Sequence, residues 1–88
     1  MKVTGIETKV LSRSEEDGQI TFAIRALVEN DSDDADVSVT LQGLDSDGFE
    51  RCDLYLQGNI PIGTSRSLTT KRDVAADIFS AVATWQVP

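Results

Sequence analysis

Apolar and polar residues alternate with period two through most of this chain, the pattern of strands with one buried and one wet face. It is clearest over residues 19–28, where Ile20, Phe22, Ile24, Ala26 and Val28 fall on one side and Thr21, Ala23, Arg25 and Leu27 on the other. This stretch reads as a central strand. Val37, Val39 and Leu41 then alternate with Ser38, Thr40 and Gln42. After Asp45-Ser46-Asp47-Gly48, Cys52, Leu54 and Leu56 alternate with Arg51, Asp53, Tyr55 and Gln57. The four linking residues suit a type I turn closed by a glycine bulge, because Asp and Ser favour the early turn positions and Gly48 takes positive φ without a Cβ clash. An antiparallel hairpin follows. Its register is set by burial, since a slip of one residue would put Leu54 and Leu56 in water and Asp53 in the core.

Flanking segments extend the pattern. Residues 3–11 place Ile6, Thr8 and Val10 on one face and Gly5 and Lys9 on the other, an edge strand in which Lys and Gly discourage intermolecular pairing. Residues 12–18 are polar, end in Asp17-Gly18 and read as a loop. Ile60 and Ile62 flank Pro61, which cannot donate to a ladder, so a strand ends or bends here; they are expected to plug one end of the core, and a seventh strand around them would raise the count from six to seven. Residues 65–71 suit a strand with Leu68 and Thr70 on one face. The period then changes. Val74, Ile78, Phe79, Ala81 and Val82 fit two turns of helix over residues 73–82, capped by Asp73, with Asp77 still near the positive end of the dipole. Ala83, Trp85 and Val87 resume alternation, a last strand that brings the single tryptophan to the core.

Eighty-eight residues make one domain, residues 1–88, with a single core. The expected fold is therefore all-β, an antiparallel immunoglobulin-like β-sandwich of six or seven strands with one short helix near the C-terminus. Its core would hold Ile20, Phe22, Ile24, Val37, Val39, Leu41, Leu54, Leu56, Leu68 and Trp85.

Charge narrows the partners. Fifteen acidic residues against eight basic give a net charge of −7, which opposes nucleic acid and anionic membrane surfaces, since both need clustered Lys and Arg. No apolar run suits a membrane span or a signal peptide. A cytoplasmic location is the expectation, and a secreted or periplasmic one would follow had a leader been removed. The lone Cys52 has no partner for an intrachain disulfide, and its place in the alternation suggests a small buried hydrophobe.

Candidate chemistry is sparse. The chain has no histidine, so imidazole bases, Ser-His-Asp and Cys-His systems and histidine-based metal sites lack their central part. The lysines have no apolar run around them, and the carboxylates gather in loops where solvent holds them ionised, whereas an acid catalyst needs a buried one. No phosphate-binding glycine loop occurs. The expectation is a non-enzyme with no cofactor.

One loop invites a second reading. Residues 29–36 carry Glu29, Asp31, Asp33, Asp34 and Asp36, and several oxygen ligands on one loop are what Ca²⁺ requires. The EF-hand spacing fails: counting from Asp31, Asp36 stands where glycine is needed and Gln42 where a bidentate carboxylate is needed. The preferred explanation is a solvated hairpin loop whose Asn and Asp side chains satisfy backbone groups locally, with a Ca²⁺-responsive loop as the alternative.

The run from Ala26 through Val28-Glu29-Asn30-Asp31-Ser32, the strand Val37-Ser38-Val39-Thr40-Leu41, the Asp45-Ser46-Asp47-Gly48 turn and the step Ile60-Pro61-Ile62-Gly63-Thr64-Ser65 resemble small bacterial immunoglobulin-like domains of the FxLYD kind and their fibronectin-III-like relatives. The chain departs from that pattern at Gly43-Leu44-Asp45, where an aromatic-led triplet would stand, and in the helical segment after Asp73. The resemblance implies an accessory or interaction module without catalytic residues. On that reading the functional residues are outward-facing apolar ones: Leu27 on the outer face of the central strand, with Phe49 and Tyr55 on the wet side of the hairpin, positions suited to self-association or to another protein.

Overall fold

The computed structural model describes residues 1–88. Six strands and one short helix run in the order β1 (Lys2–Ser14), β2 (Gln19–Glu29), β3 (Asp36–Leu44), β4 (Glu50–Asn59), β5 (Ser65–Ala75), α1 (Ala76–Ala81) and β6 (Thr84–Gln86). They form two antiparallel three-stranded sheets, ordered β1-β2-β5 and β4-β3-β6. Each sheet turns one apolar face to a shared core of Ile20, Phe22, Ile24, Ala26, Val28, Val37, Val39, Leu41, Leu54, Leu56, Ile60 and Leu68. The inner faces are those read from the alternation, and β2 is the central strand of its sheet.

Where the alternation is interrupted, the backbone explains it. Gly5 has φ +62° and sits in a break of register between Thr4 and Glu7. A bulge there resets the parity of β1, so that Val3 joins Ile6 and Val10 against the core. A second break between Val10 and Ser12 carries β1 on to Ser14. The loop expected over residues 12–18 is thus only the turn at residues 15–18, because the Ser12, Arg13 and Ser14 backbones still find partners on β2. The β3–β4 turn closes as expected: Gly48 N donates to Asp45 O at 3.0 Å, Asp45 Oδ1 accepts from the Asp47 and Phe49 backbone amides at 2.9 Å each, and Gly48 has φ +85°.

Three expectations are corrected. Asp73 is no helix cap: β5 stays paired with β2 as far as Ala75, and Thr21 Oγ1 donates to Asp73 Oδ1 at 2.6 Å. Long-range pairing overrides the helical spacing, leaving only residues 76–81 helical, with no side-chain cap. There is no seventh strand around Ile60 and Ile62. Ile60 is fully buried, but Ile62 is 57% exposed in a turn where Thr64 N donates to Pro61 O. Trp85 is half-buried and lies in a shorter last strand than expected; its ring centroid is 5.9 Å from that of Phe22, which also has the Phe79 ring 4.8 Å away.

Candidate functional site

The most organised polar cluster lies at the residues read as a loose acidic loop. Asn30 has no exposed surface, and all of its hydrogen-bonding groups are used. Its Nδ2 donates to the Asp34 and Ile60 carbonyls at 2.8 Å each. Its Oδ1 accepts from Ser32 N at 3.0 Å and Ser32 Oγ at 2.6 Å. Its backbone N donates to Thr64 O, and its carbonyl accepts from Gly63 N. One side chain thus ties the β2–β3 loop to the β4–β5 loop. The local Asx-type bond to Ser32 was legible in Asn-Asp-Ser; the partners thirty and more residues away were not.

The carboxylates of this loop do not converge. No three acidic, cysteine or histidine side chains anywhere in the chain come together in a way that could hold a metal ion. Asp34 Oδ1 accepts from Asp36 N at 2.9 Å, and Asp36 Oδ1 accepts from Asn59 Nδ2 at 3.2 Å. Asp31 Oδ1 lies 2.7 Å from the Met1 amino group, whose hydrogen bond first and charge second hold that carboxyl below its ordinary value. The pair is solvent-exposed and screened, so its worth is small and is lost as pH falls through the carboxylate range.

Cys52 is half-buried on the inner side of β4, against Gly43 and near Phe22. Burial pushes its thiol up, and the neighbouring charges of Asp53 and Glu50 push the same way. A thiol kept protonated is a poor nucleophile. Cys52 is therefore expected to react with a disulfide reagent in the native protein at pH 8 at least tenfold more slowly than free cysteine. A rate equal to that of the unfolded chain would show the site to be open.

The largest surface hollow, of about 530 Å³, lies on the outer face of the first sheet between Glu7, Thr8, Lys9, Ala23, Ile24, Arg25 and Thr69. Arg25 is already paired there, its Nη2 lying 2.9 Å from Glu7 Oε2. Small-molecule sites are mostly apolar with a few convergent polar groups, and this hollow has only two apolar residues.

The three residues read as interface positions are all exposed: Leu27 44%, Phe49 70% and Tyr55 52%. They do not form one patch. Leu27 stands on the outer face of β2, flanked by Thr4 of β1 and Ser67 of β5. Tyr55 stands on the outer face of β4 opposite Thr40, and Phe49 belongs to the β3–β4 turn. Leu27 and Tyr55 belong to different sheets, and Tyr55 borders a hollow shared with Thr69, Thr70 and Arg72 of β5. No protein-family model, curated protein sequence or solved structure matches this chain, and no helix is long and apolar enough to cross a membrane.

Proposed function

We propose that this chain is a non-catalytic protein-interaction module, an immunoglobulin-like β-sandwich of six strands that associates with itself or with another protein. The observation that carries the reading is the exposure of Leu27, Phe49 and Tyr55 on a domain whose buried side-chain nitrogens and oxygens all have partners of their own. A large aromatic or aliphatic side chain left in water gains most when a partner desolvates it, and aromatic anchors dominate the energetics of interfaces. Because Leu27 and Tyr55 lie on different sheets, single substitutions test the two surfaces separately. Size exclusion with light scattering over a concentration series is expected to show association that Tyr55→Asp or Leu27→Asp, but not both, weakens at least tenfold. If both variants keep the fold and the association of the parent chain, the interface lies elsewhere and the apolar-face reading is wrong. The Ca²⁺-responsive alternative through residues 29–36 has no converging carboxylates behind it; the same series with millimolar Ca²⁺ is expected to be unchanged.

A further inference from the structure

Sheet edges are sites where another chain can add a strand, and folded proteins blunt them with charge, bulges or cover. Of the five long strands, β2 is paired on both sides and β1, β4 and β5 carry such devices. β1 has two breaks of register and Lys9; β5 exposes Arg66, Lys71 and Arg72; β4 exposes Arg51 and Asp53 and lies against β5. β3 differs. On the side away from β4 it is paired only by β6, through Gln42, Gly43 and Leu44. Residues 36–41, Asp-Val-Ser-Val-Thr-Leu, have no strand on that side, no proline, no bulge and no lysine or arginine.

The direction of the free groups follows from two hydrogen bonds. Ile60 N donates to Ala35 O, so Ala35 and, by alternation, Val37, Val39 and Leu41 turn their backbone groups to β4. Leu44 O accepts from Ala83 N on the opposite side. The N–H and C=O of Ser38 and Thr40 therefore face the open edge, where the Asp36 N–H is already taken by Asp34 Oδ1. β4 meets β5 at the other flank, so β1 lies on the same flank as this edge, with Val3 and Ile6 only half covered.

We infer that the open edge of β3 is a strand-addition site for an extended segment of another protein, antiparallel to β3, alternating in apolar residues and basic at its C-terminal end. This rests on the interaction-module reading and specifies its partner. β6 shows the direction that the edge accepts: pairing of Gln42 with Gln86 and of Leu44 with Thr84 means that an added strand in line with β6 runs toward Asp36. Its C-terminal end arrives at Glu29, Asp31, Asp33, Asp34 and Asp36, of which only Asp31 has a cationic partner, the Met1 amino group, so Lys or Arg there would meet net negative charge. Its alternate side chains would cover Val3 and Ile6 while its backbone pairs with Ser38 and Thr40. A second copy suits the edge poorly. It would bring a charge of −7 to a chain of −7.

The test uses the ¹⁵N-labelled chain and the synthetic peptide Thr-Val-Thr-Val-Thr-Val-Lys-Arg-Lys, with a control ending in Glu-Asp-Glu. The basic peptide is expected to shift the Ser38 and Thr40 amides and slow their hydrogen exchange, binding at least tenfold more tightly than the control and more weakly as salt rises. Ser38→Pro removes a free N–H and no ladder bond, so it is expected to leave the melting temperature within a few degrees and to weaken binding at least tenfold. Should that variant fail to fold, methylating alternate amide nitrogens of the peptide makes the same test on the unaltered chain. Shifts confined to the Leu27 or Tyr55 face, or edge pairing with a second copy in place of the peptide, would overturn this site and leave the module reading standing. Absence of peptide binding together with unaltered association of the face variants would overturn both.

Discussion

Replacing Asn30 by alanine is expected to destabilise the protein by about 3 kcal/mol, because a buried acceptor left without its donor costs about 1–3 kcal/mol and two carbonyls lose theirs. The Ile60 carbonyl is the more expensive of the two, being buried, while that of Asp34 is partly reached by water and by Ser32 Oγ at 3.1 Å. For a domain of this size, whose total stability is about 4–13 kcal/mol, this is a large fraction. It corresponds to a fall in melting temperature of roughly 12–24 °C. The near-isosteric Asn30→Asp is expected to be worse at neutral pH. It turns an oxygen toward two carbonyl oxygens and places a carboxylate, fully buried, among Asp31, Asp33 and Asp34. Its sign with pH identifies the mechanism. The carboxyl of the variant is held in its protonated form by the fold, so its folded pKa lies above the unfolded value of about 3.9. The variant is then least destabilised below about pH 4 and loses stability as pH rises through the folded pKa. Denaturant unfolding at several pH values measures this directly. An Asn30→Asp variant as stable as the parent at pH 7 would mean that Asn30 does not hold the two loops together.

Phe22→Ala is expected to cost about 4 kcal/mol, in the range of about 3–5 kcal/mol for emptying a buried aromatic site. Phe22 is 1% exposed, and its ring meets those of Phe79 and Trp85, the residues through which α1 and β6 close one end of the core. The loss therefore has two parts. One is the cavity left between the sheets. The other is a weaker hold on the C-terminal segment, since α1 is short and uncapped and β6 pairs only three residues with β3. Trp85 is the only tryptophan, so its fluorescence reports the second part alone. Its emission is expected to move to the red in the folded variant, before the main unfolding transition, while the urea midpoint falls. Phe22→Leu, which keeps much of the volume, is expected to lose about a third as much. If Phe22→Ala lost less than about 1 kcal/mol, the ring would not be the anchor of that end of the core.

The two effects arise from different levels of information. Phe22 was legible as a core residue because alternation over residues 19–28 is unbroken, and burial on one face of a strand is a local consequence of period two. The same reasoning located Val37, Val39, Leu41, Leu54 and Leu56, all of which are buried, and the Asp45 to Gly48 turn, whose chemistry is contained in four residues. Asn30 was visible only as a loop residue able to bond its neighbours. Its burial and its bond to Ile60 depend on the β4–β5 loop arriving beside it, which no local pattern encodes.

Failures of the sequence reading have the same cause. Helical spacing after Asp73 is real, but β2 offers a ladder as far as Gln19, and pairing there outweighs an intrinsic preference worth a few tenths of a kcal/mol per residue. The acidic run reads first as a solvated loop bonding its own backbone, and that is its character: Asp34 and Asp36 each take one hydrogen-bonding partner and Asp31 pairs with the Met1 amino group, though no local pattern encodes the Asn59 or Met1 partner. Leu27, Phe49 and Tyr55 were correctly read as exposed, yet Phe49 lies in the β3–β4 turn and not on a strand face, and only the tertiary structure decides that Leu27 and Tyr55 belong to different sheets.

The chain by itself determined which residues alternate, hence the strands, their buried faces, the tight turn, and the absence of imidazole chemistry, because each of these depends on neighbours within a few positions. Tertiary structure alone decided the bulge at Gly5, the length of β5, the burial of Asn30 and the open edge of β3. Each of those depends on which backbone groups find partners across the sheet, and a hydrogen bond between residues far apart in sequence is settled only when the chain has folded.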